Sequence, residues 1–264
     1  MTDAPAMPSP RPLRIDRQGP VLLLTIDRPQ ARNALNPDVL TGIADALADA
    51  ERSGDIRVAV LAGAGPDFSA GADIDIIAGH SPASYLASPT RRAFDAIGRC
   101  ELPLVAAVAG YCLGGGCELA LGCDLVIAGD TALFGQPEIA LGIMPGAGGT
   151  QNWRERTGLG PQVEAAMSGA MIDAFAARRI GLVDAVVPAE HVADAALARA
   201  RSLAARAPLA LRAVKVAMRA RGRMTLSAAL EHEVALMAGL LGTRDAAEGT
   251  RAFLEKRPPV FEGH

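Results

Sequence analysis

Four short runs, VLLLTI (Val21–Ile26), VAVLAG (Val58–Gly63), LVAAVAG (Leu104–Gly110) and DLVIAG (Asp124–Gly129), are continuously apolar over the length of a strand. Runs of that kind read as buried β-strands. Helical patterns lie between them. Asn36 stands where an N-cap would, followed by Pro37 and Asp38, and Val39, Leu40, Ile43 and Leu47 recur at helical spacing to about Glu51. Gly115–Leu121 fits a second, short helix between the third and fourth strands. Strands alternating with helices predict an α/β protein.

From about Ala189 strand runs disappear, and alanine, arginine and leucine dominate. Three helices are expected there, within ADAALARARSLAARAP, LALRAVKVAMRARG and TLSAALEHEVALMAGLL. The chain therefore divides into a tail (1–12), an α/β core (13–195) and a C-terminal helical region (196–264). The tail, MTDAPAMPSPRP, is proline-rich and lacks the apolar segment of a signal peptide, so it is expected to be disordered. Half of the 264 residues are apolar but only 3% are aromatic, which favours a core of small residues with close backbone approach. The net charge of −3 implies no strongly charged partner. Cys100, Cys112, Cys117 and Cys123 lack zinc-site spacing and read as small core residues of a reducing, cytoplasmic setting. The most apolar stretch, Leu102–Cys117, is broken by Pro103 and glycines, so no membrane span is expected.

Against that background one carboxylate stands out. Glu118 lies inside LGGGCELALGCD, where burying a charge without partners is costly. Glu138 lies in a second glycine-rich apolar segment, FGQPEIALGIMPGAGGTQ. Two carboxyl groups sharing a dry site titrate apart, so that one can hold a proton near neutral pH. Two loops, SAGADI (Ser69–Ile74) and GYCLGGGCE (Gly110–Glu118), each follow a strand. Backbone N–H groups from such loops could stabilise a developing oxyanion. Neither loop has the spacing of a nucleotide-binding motif. None of His80, His191, His232 or His264 falls in a motif, so no histidine triad and no metal site is expected.

RPQARNALN, FSAGADI, YCLGGGCELALGCD, FGQPEIALGIMPGAGGTQ, IGLVDAVVP and AFLEKRPPVF occur in that order. Together they resemble the crotonase (enoyl-CoA hydratase/isomerase) superfamily from about residue 13 onward, and its hydratases in particular, because both glutamates are present. The resemblance implies a spiral of ββα units followed by a helical trimerisation region. It implies an acyl-CoA thioester substrate, with coenzyme A part of the substrate and no separate cofactor, and a homo-trimer or a dimer of trimers. It puts the oxyanion amides at Ala72 and Gly115, and the paired carboxylates at Glu118 and Glu138. It puts Arg32, Ala70 and Ile74 near the coenzyme's nucleotide and pantetheine arm, and Phe253 and Lys256 near its adenine end, from a neighbouring subunit. The expected reaction adds water across a 2-enoyl-CoA to give a 3-hydroxyacyl-CoA.

The sequence departs from the pattern at Asp75, where many hydratases have lysine, and at Asn152, where arginine is common. Residues 75–95, with AGHSPASYLASP, are expected to shape the acyl pocket. Double-bond isomerisation through Glu138 alone is the nearest alternative, and a catalytically silent scaffold is a more distant one. A third is RNA binding by a helix bearing Arg212, Lys215 and Arg219 on one face. The negative net charge favours a solvated helix face instead, and neither nucleic acid nor a membrane is expected as a partner.

Overall fold

The computed structural model describes residues 12–220 and 222–264, so the expected tail, apart from Pro12, lies outside the described residues. The strands, in chain order, are β1 (Leu13–Gln18), β2 (Val21–Ile26), β3 (Val58–Gly63), β4 (Leu104–Val108), β5 (Tyr111–Leu113), β6 (Leu125–Gly129), β7 (Leu133–Gly135), β8 (Met171–Asp173) and β9 (Ala185–Val187). One sheet has the order β1-β2-β3-β4-β6-β9, antiparallel between β1 and β2 and parallel elsewhere. A smaller sheet has the order β5-β7-β8.

The four apolar runs seen in the sequence are the central parallel strands, and both faces of that sheet are covered. Leu24, Leu61, Ala106 and Val126 pack with Leu40, Ile43 and Leu47 of helix Pro37–Ser53 and Ile97 of helix Pro89–Arg99. On the other face Val21, Val60, Val105 and Ile127 pack with Ala196, Leu197 and Ala200 of helix Val192–Ala204. Burial on both faces explains why these strands are apolar throughout rather than alternating. It also makes helix Val192–Ala204 part of the sheet's core, and the expected 195/196 boundary falls within that helix. The Asn36 carboxamide caps helix Pro37–Ser53 by accepting from Val39 N, as the sequence predicts. All four cysteines are buried and free.

Several elements escape the sequence pattern, and two of them show why. β1 is an edge strand whose middle residues, Arg14 to Arg17, are exposed. Its charges suit an edge, and its pairing with β2 defines it more than any apolar period does. A fourth C-terminal helix, Arg244–Leu254, follows Leu226–Leu240, and buried Asp245 accepts from Glu262 N and Gly263 N.

The basic helix requires a correction. In Pro208–Ala220, Lys215 is 3% exposed and its ammonium holds Leu102 O and the Asp124 carboxylate. Arg219 holds the carbonyls of Gly98, Cys100 and Gly122 as well as Asp124. Lys215 and Arg219 are therefore engaged by internal partners rather than left for phosphate or solvent. They dock the helix onto the starts of β4 and β6, where buried cations are tolerated because each is paired.

Candidate active site

The candidate residues gather where chain segments leave the C-terminal ends of β3 and β4. After β3, Phe68 N donates to Ala109 O at 2.8 Å and Ser69 N to Tyr111 O at 2.9 Å, so this loop runs beside the β4–β5 connection. Further on, Leu35 N donates to Gly71 O (2.8 Å) and Asp73 N to Leu35 O (3.0 Å), closing a parallel bridge between Leu35 and Ala72. In such a bridge the two flanking residues make the bonds, so the Ala72 N–H points away from Leu35. The Ala72 nitrogen lies beside Gly115, 3.5 Å from where a Cβ there would be.

The glycine run has local reasons. Gly114 has φ +49°, a conformation that glycine adopts without a Cβ clash. It turns the chain from β5 into helix Gly115–Leu121, whose first amide, Gly115 N–H, has no partner within the helix. At Gly116 any side chain would run into Ser69 O, 2.6 Å from the Cβ position. The helix start is thereby pressed against the Ser69–Ala72 loop.

Glu118, in the first turn of this helix, is 5% exposed. Its Oε1 accepts from Ala147 N (2.7 Å) and Gly149 N (2.8 Å). Burial pushes its carboxyl above the usual range, and the two amides pull it back. Glu138 sits on the 3-10 turn Pro137–Leu141. Its Oε1 lies 3.1 Å from where a Cβ at Gly114 would be, and its buried Oε2 has no hydrogen-bond partner among the described residues. Burial, opposed by a backbone amide and reinforced by the charge of Glu118, pushes this carboxyl up to about 7.

The structure thus brings Ala72, Gly115, Glu118 and Glu138 to one place. Ala70 and Arg32 adjoin it, since Ala70 N donates to Arg32 O at 2.9 Å. The Arg32 guanidinium lies 5.1 Å from the centre of the Tyr111 ring. Ile74 opens the short helix Ile74–Ala78 and is exposed. Phe253 and Lys256 are not brought to the site within this chain. Phe253 is 83% exposed near the end of the last helix, and Lys256 is exposed just beyond it. The chain end that follows is tied through Phe261 O to Arg57, at the start of β3 and so at the opposite end of the strand from the site.

Sequence reading missed the donors to Glu118, because backbone amides leave no trace in side-chain identity. The GAGG run was the visible signal: a Cβ at Gly149 would overlap the buried Gln136 amide and lie 2.9 Å from Glu118 Oε1. It also missed Tyr85 as an individual residue. The half-buried Tyr85 ring sits against Gly146, in the loop that holds Glu118, and His80 meets it edge-on at 5.9 Å. Burial first, and the nearby Glu118 charge second, raise the Tyr85 phenol's pKa. Among the described residues no group of three His, Cys, Asp or Glu side chains could hold a metal ion, and no helix is long and apolar enough to cross a membrane.

Comparison with known proteins identifies the family. The sequence profile of the enoyl-CoA hydratase/isomerase family matches residues 16–264. The chain is 43% identical over 251 residues to the 2,3-dehydroadipyl-CoA hydratase of Escherichia coli, covering 95% of this chain and 98% of the relative. It is 38% identical to a probable enoyl-CoA hydratase of Mycobacterium tuberculosis, over 94% and 96% of the two chains. Its fold superposes on an enoyl-CoA hydratase subunit of Geobacillus kaustophilus with a TM-score of 0.92 at 37% identity, covering 96% and 98%. An enoyl-CoA hydratase of Bacillus anthracis superposes with a TM-score of 0.91 at 33% identity, covering 96% and 100%. With the profile spanning nearly the whole chain and relatives of 38–43% identity covering almost all of it, the chain belongs to the crotonase (enoyl-CoA hydratase/isomerase) family of enzymes.

Proposed function

We propose that this enzyme hydrates 2-enoyl-CoA thioesters to 3-hydroxyacyl-CoA. The observation that carries the reading is the convergence of two dissimilar carboxyl groups on the loops that present Ala72 N–H and Gly115 N–H. The thioester oxygen accepts from those two amides, which favours enolate character at the α-carbon. A water molecule sits between the carboxyl groups. Glu118, whose carboxylate form accepts from two amides, takes the water's proton as the oxygen bonds to the β-carbon. Glu138, which retains a proton up to about pH 7, gives it to the α-carbon. A proton passed back from Glu118 to Glu138 restores the starting state, so water is added and nothing else is consumed.

Coenzyme A enters as part of the substrate, past Arg32, Ala70 and Ile74. Phe253 and Lys256 serve its adenine end in a neighbouring subunit of a homo-trimer or a dimer of trimers. Exposed apolar residues support that assembly. Ile139, Leu141 and Met144 lie beside the site, and Val214, Met218, Leu230, Val234 and Met237 lie on the C-terminal helices. Sedimentation of the purified protein tests it, with a monomer as the contrary result.

The test of the activity follows loss of enoyl thioester absorbance with crotonyl-CoA, longer 2-enoyl-CoAs and 2,3-dehydroadipyl-CoA, for wild type, Glu118→Gln and Glu138→Gln. Rapid loss with wild type, abolished in both variants, is expected. No loss with any substrate, but movement of the double bond in 3-enoyl-CoAs, would replace hydration by isomerisation.

A further inference from the structure

We propose that Arg28 and Asp73 are positioning residues for the oxyanion hole, their ion pair fixing the loop that presents the Ala72 amide. This rests on the reading of Ala72 N–H as an oxyanion donor. Arg28 Nη2 lies 3.2 Å from Asp73 Oδ2, with the two side chains only 20% and 26% exposed. The other terminal nitrogen, Nη1, donates to Ala34 O. The backbone N–H of Arg28 donates to Asn33 Oδ1 at 2.9 Å, and Asn33 Nδ2 donates to Ala64 O at 2.8 Å and Asp67 O at 2.6 Å. Arg28 thereby joins the segment after β2 to the loop after β3.

The position of Asp73 makes the pairing informative. Asp73 is the N-cap residue of helix Ile74–Ala78, yet its side chain accepts no capping hydrogen bond. An aspartate at a helix start ordinarily accepts from an amide two or three residues on. Here the carboxylate turns back to the guanidinium, and the local helix goes without its cap. Ala72 is the residue that gains. Its neighbours Gly71 and Asp73 are bonded to Leu35, and the Arg28 fork fixes Ala34 and Asp73 on either side of that bridge. A guanidinium holds two acceptors in a fixed planar geometry, which an ammonium does not. Donors that are fixed before the reaction are the ones that stabilise a developing oxyanion.

The experiment compares full-length wild type with Arg28→Met, Arg28→Lys, Asp73→Asn and the double variant Arg28→Met/Asp73→Asn. The readouts are kcat and KM with crotonyl-CoA, thermal unfolding, and the absorbance red shift of a bound conjugated dienoyl-CoA, which reports carbonyl polarisation. Arg28→Met and Asp73→Asn are expected to lower kcat about 10- to 100-fold with KM within about threefold, and to reduce the red shift of the bound dienoyl-CoA. Arg28→Lys recovers part of the loss. The double variant is no worse than the worse single one, because both act through one contact. Should the variants unfold earlier yet keep the wild-type kcat per folded molecule and the full red shift, the pair serves the fold alone and the proposal is overturned. Asp73→Asn is nearly isosteric and keeps that outcome measurable if Arg28→Met does not fold. A wild type that neither hydrates crotonyl-CoA nor shifts the dienoyl absorbance overturns the hydratase reading itself, a result distinct from active variants.

Discussion

Glu118 and Glu138 carry the same carboxyl group in two differently built regions. Glu118 projects from a helix whose residues are all buried, and two backbone amides point at one of its oxygens. Glu138 rides on a 3-10 turn with no buried residue, beside the exposed Ile139 and Leu141, and one of its oxygens has no partner among the described residues. Donated hydrogen bonds favour a charged carboxylate and burial favours the protonated acid; two amides oppose burial at Glu118, and only one backbone amide does so at Glu138. On the proposed mechanism this difference in backbone donors sets Glu118 as the base and Glu138 as the acid, although the two residues are chemically identical.

Removing either group should have the largest effect. Glu118→Gln and Glu138→Gln are each expected to lower kcat for hydration by about 10³-fold or more, toward the upper range for general acid–base catalysis. The two should part company in a second assay. Exchange of the α-hydrogen of a saturated acyl-CoA with deuterium oxide, followed by NMR, needs only Glu138, so it survives in Glu118→Gln and is lost in Glu138→Gln. Loss in both would mean that the two regions do not divide the work.

Gly149→Ala perturbs the Glu118 region while leaving the glutamate itself in place. The new Cβ would overlap Gln136 and crowd Glu118 Oε1. Turnover is expected to fall by about 10²-fold, because a displacement near 1 Å costs that much. Chemical denaturation should show a stability loss of about 1–3 kcal/mol from overpacking. Wild-type turnover would show that the Gly149 amide is dispensable to Glu118.

A smaller effect is expected at Tyr85. Tyr85→Phe should leave kcat/KM for crotonyl-CoA within about threefold, while Tyr85→Ala should shift the preference between short and long 2-enoyl-CoAs by about tenfold, the scale of a few methylenes in a pocket. An equal change for every chain length would remove Tyr85 from the acyl pocket.

How much of this was legible in the sequence follows the same division. The buried strands, the Asn36 cap and the bounds of helix Gly115–Leu121 could be read because burial on two faces and helix starts leave side-chain signatures. The family motifs led to Ala72, Gly115, Glu118 and Glu138. What the sequence hid is made of backbone or of distant contacts. The amides of Ala147 and Gly149 look like ordinary loop glycine and alanine, and β1 looks like a charged linker until β2 pairs with it. Lys215 and Arg219 look like a solvated stripe because their partner, Asp124, lies far away in the chain.

The smallest effect gives the sharpest comparison, because it reads the two regions without catalysis. An unfolded glutamate titrates near 4.3, whereas folding pushes the Glu138 carboxyl up to about 7. Below that lower value the group is protonated in both states and contributes nothing. Between the two values the folded chain keeps a proton that the unfolded chain has released, so stability falls as pH rises, and above about pH 7 the whole penalty is present. Partial contact with solvent reduces that penalty to about 1 kcal/mol. Glu138→Gln should therefore unfold at the same temperature as wild type near pH 4, and about 2–4 °C higher at pH 8. Glu118 is also pushed up by burial, but its two amides oppose the shift, so Glu118→Gln should flatten the profile less. Thermal unfolding of the three proteins across this range decides the matter. A larger flattening by Glu118→Gln would exchange the acid and the base.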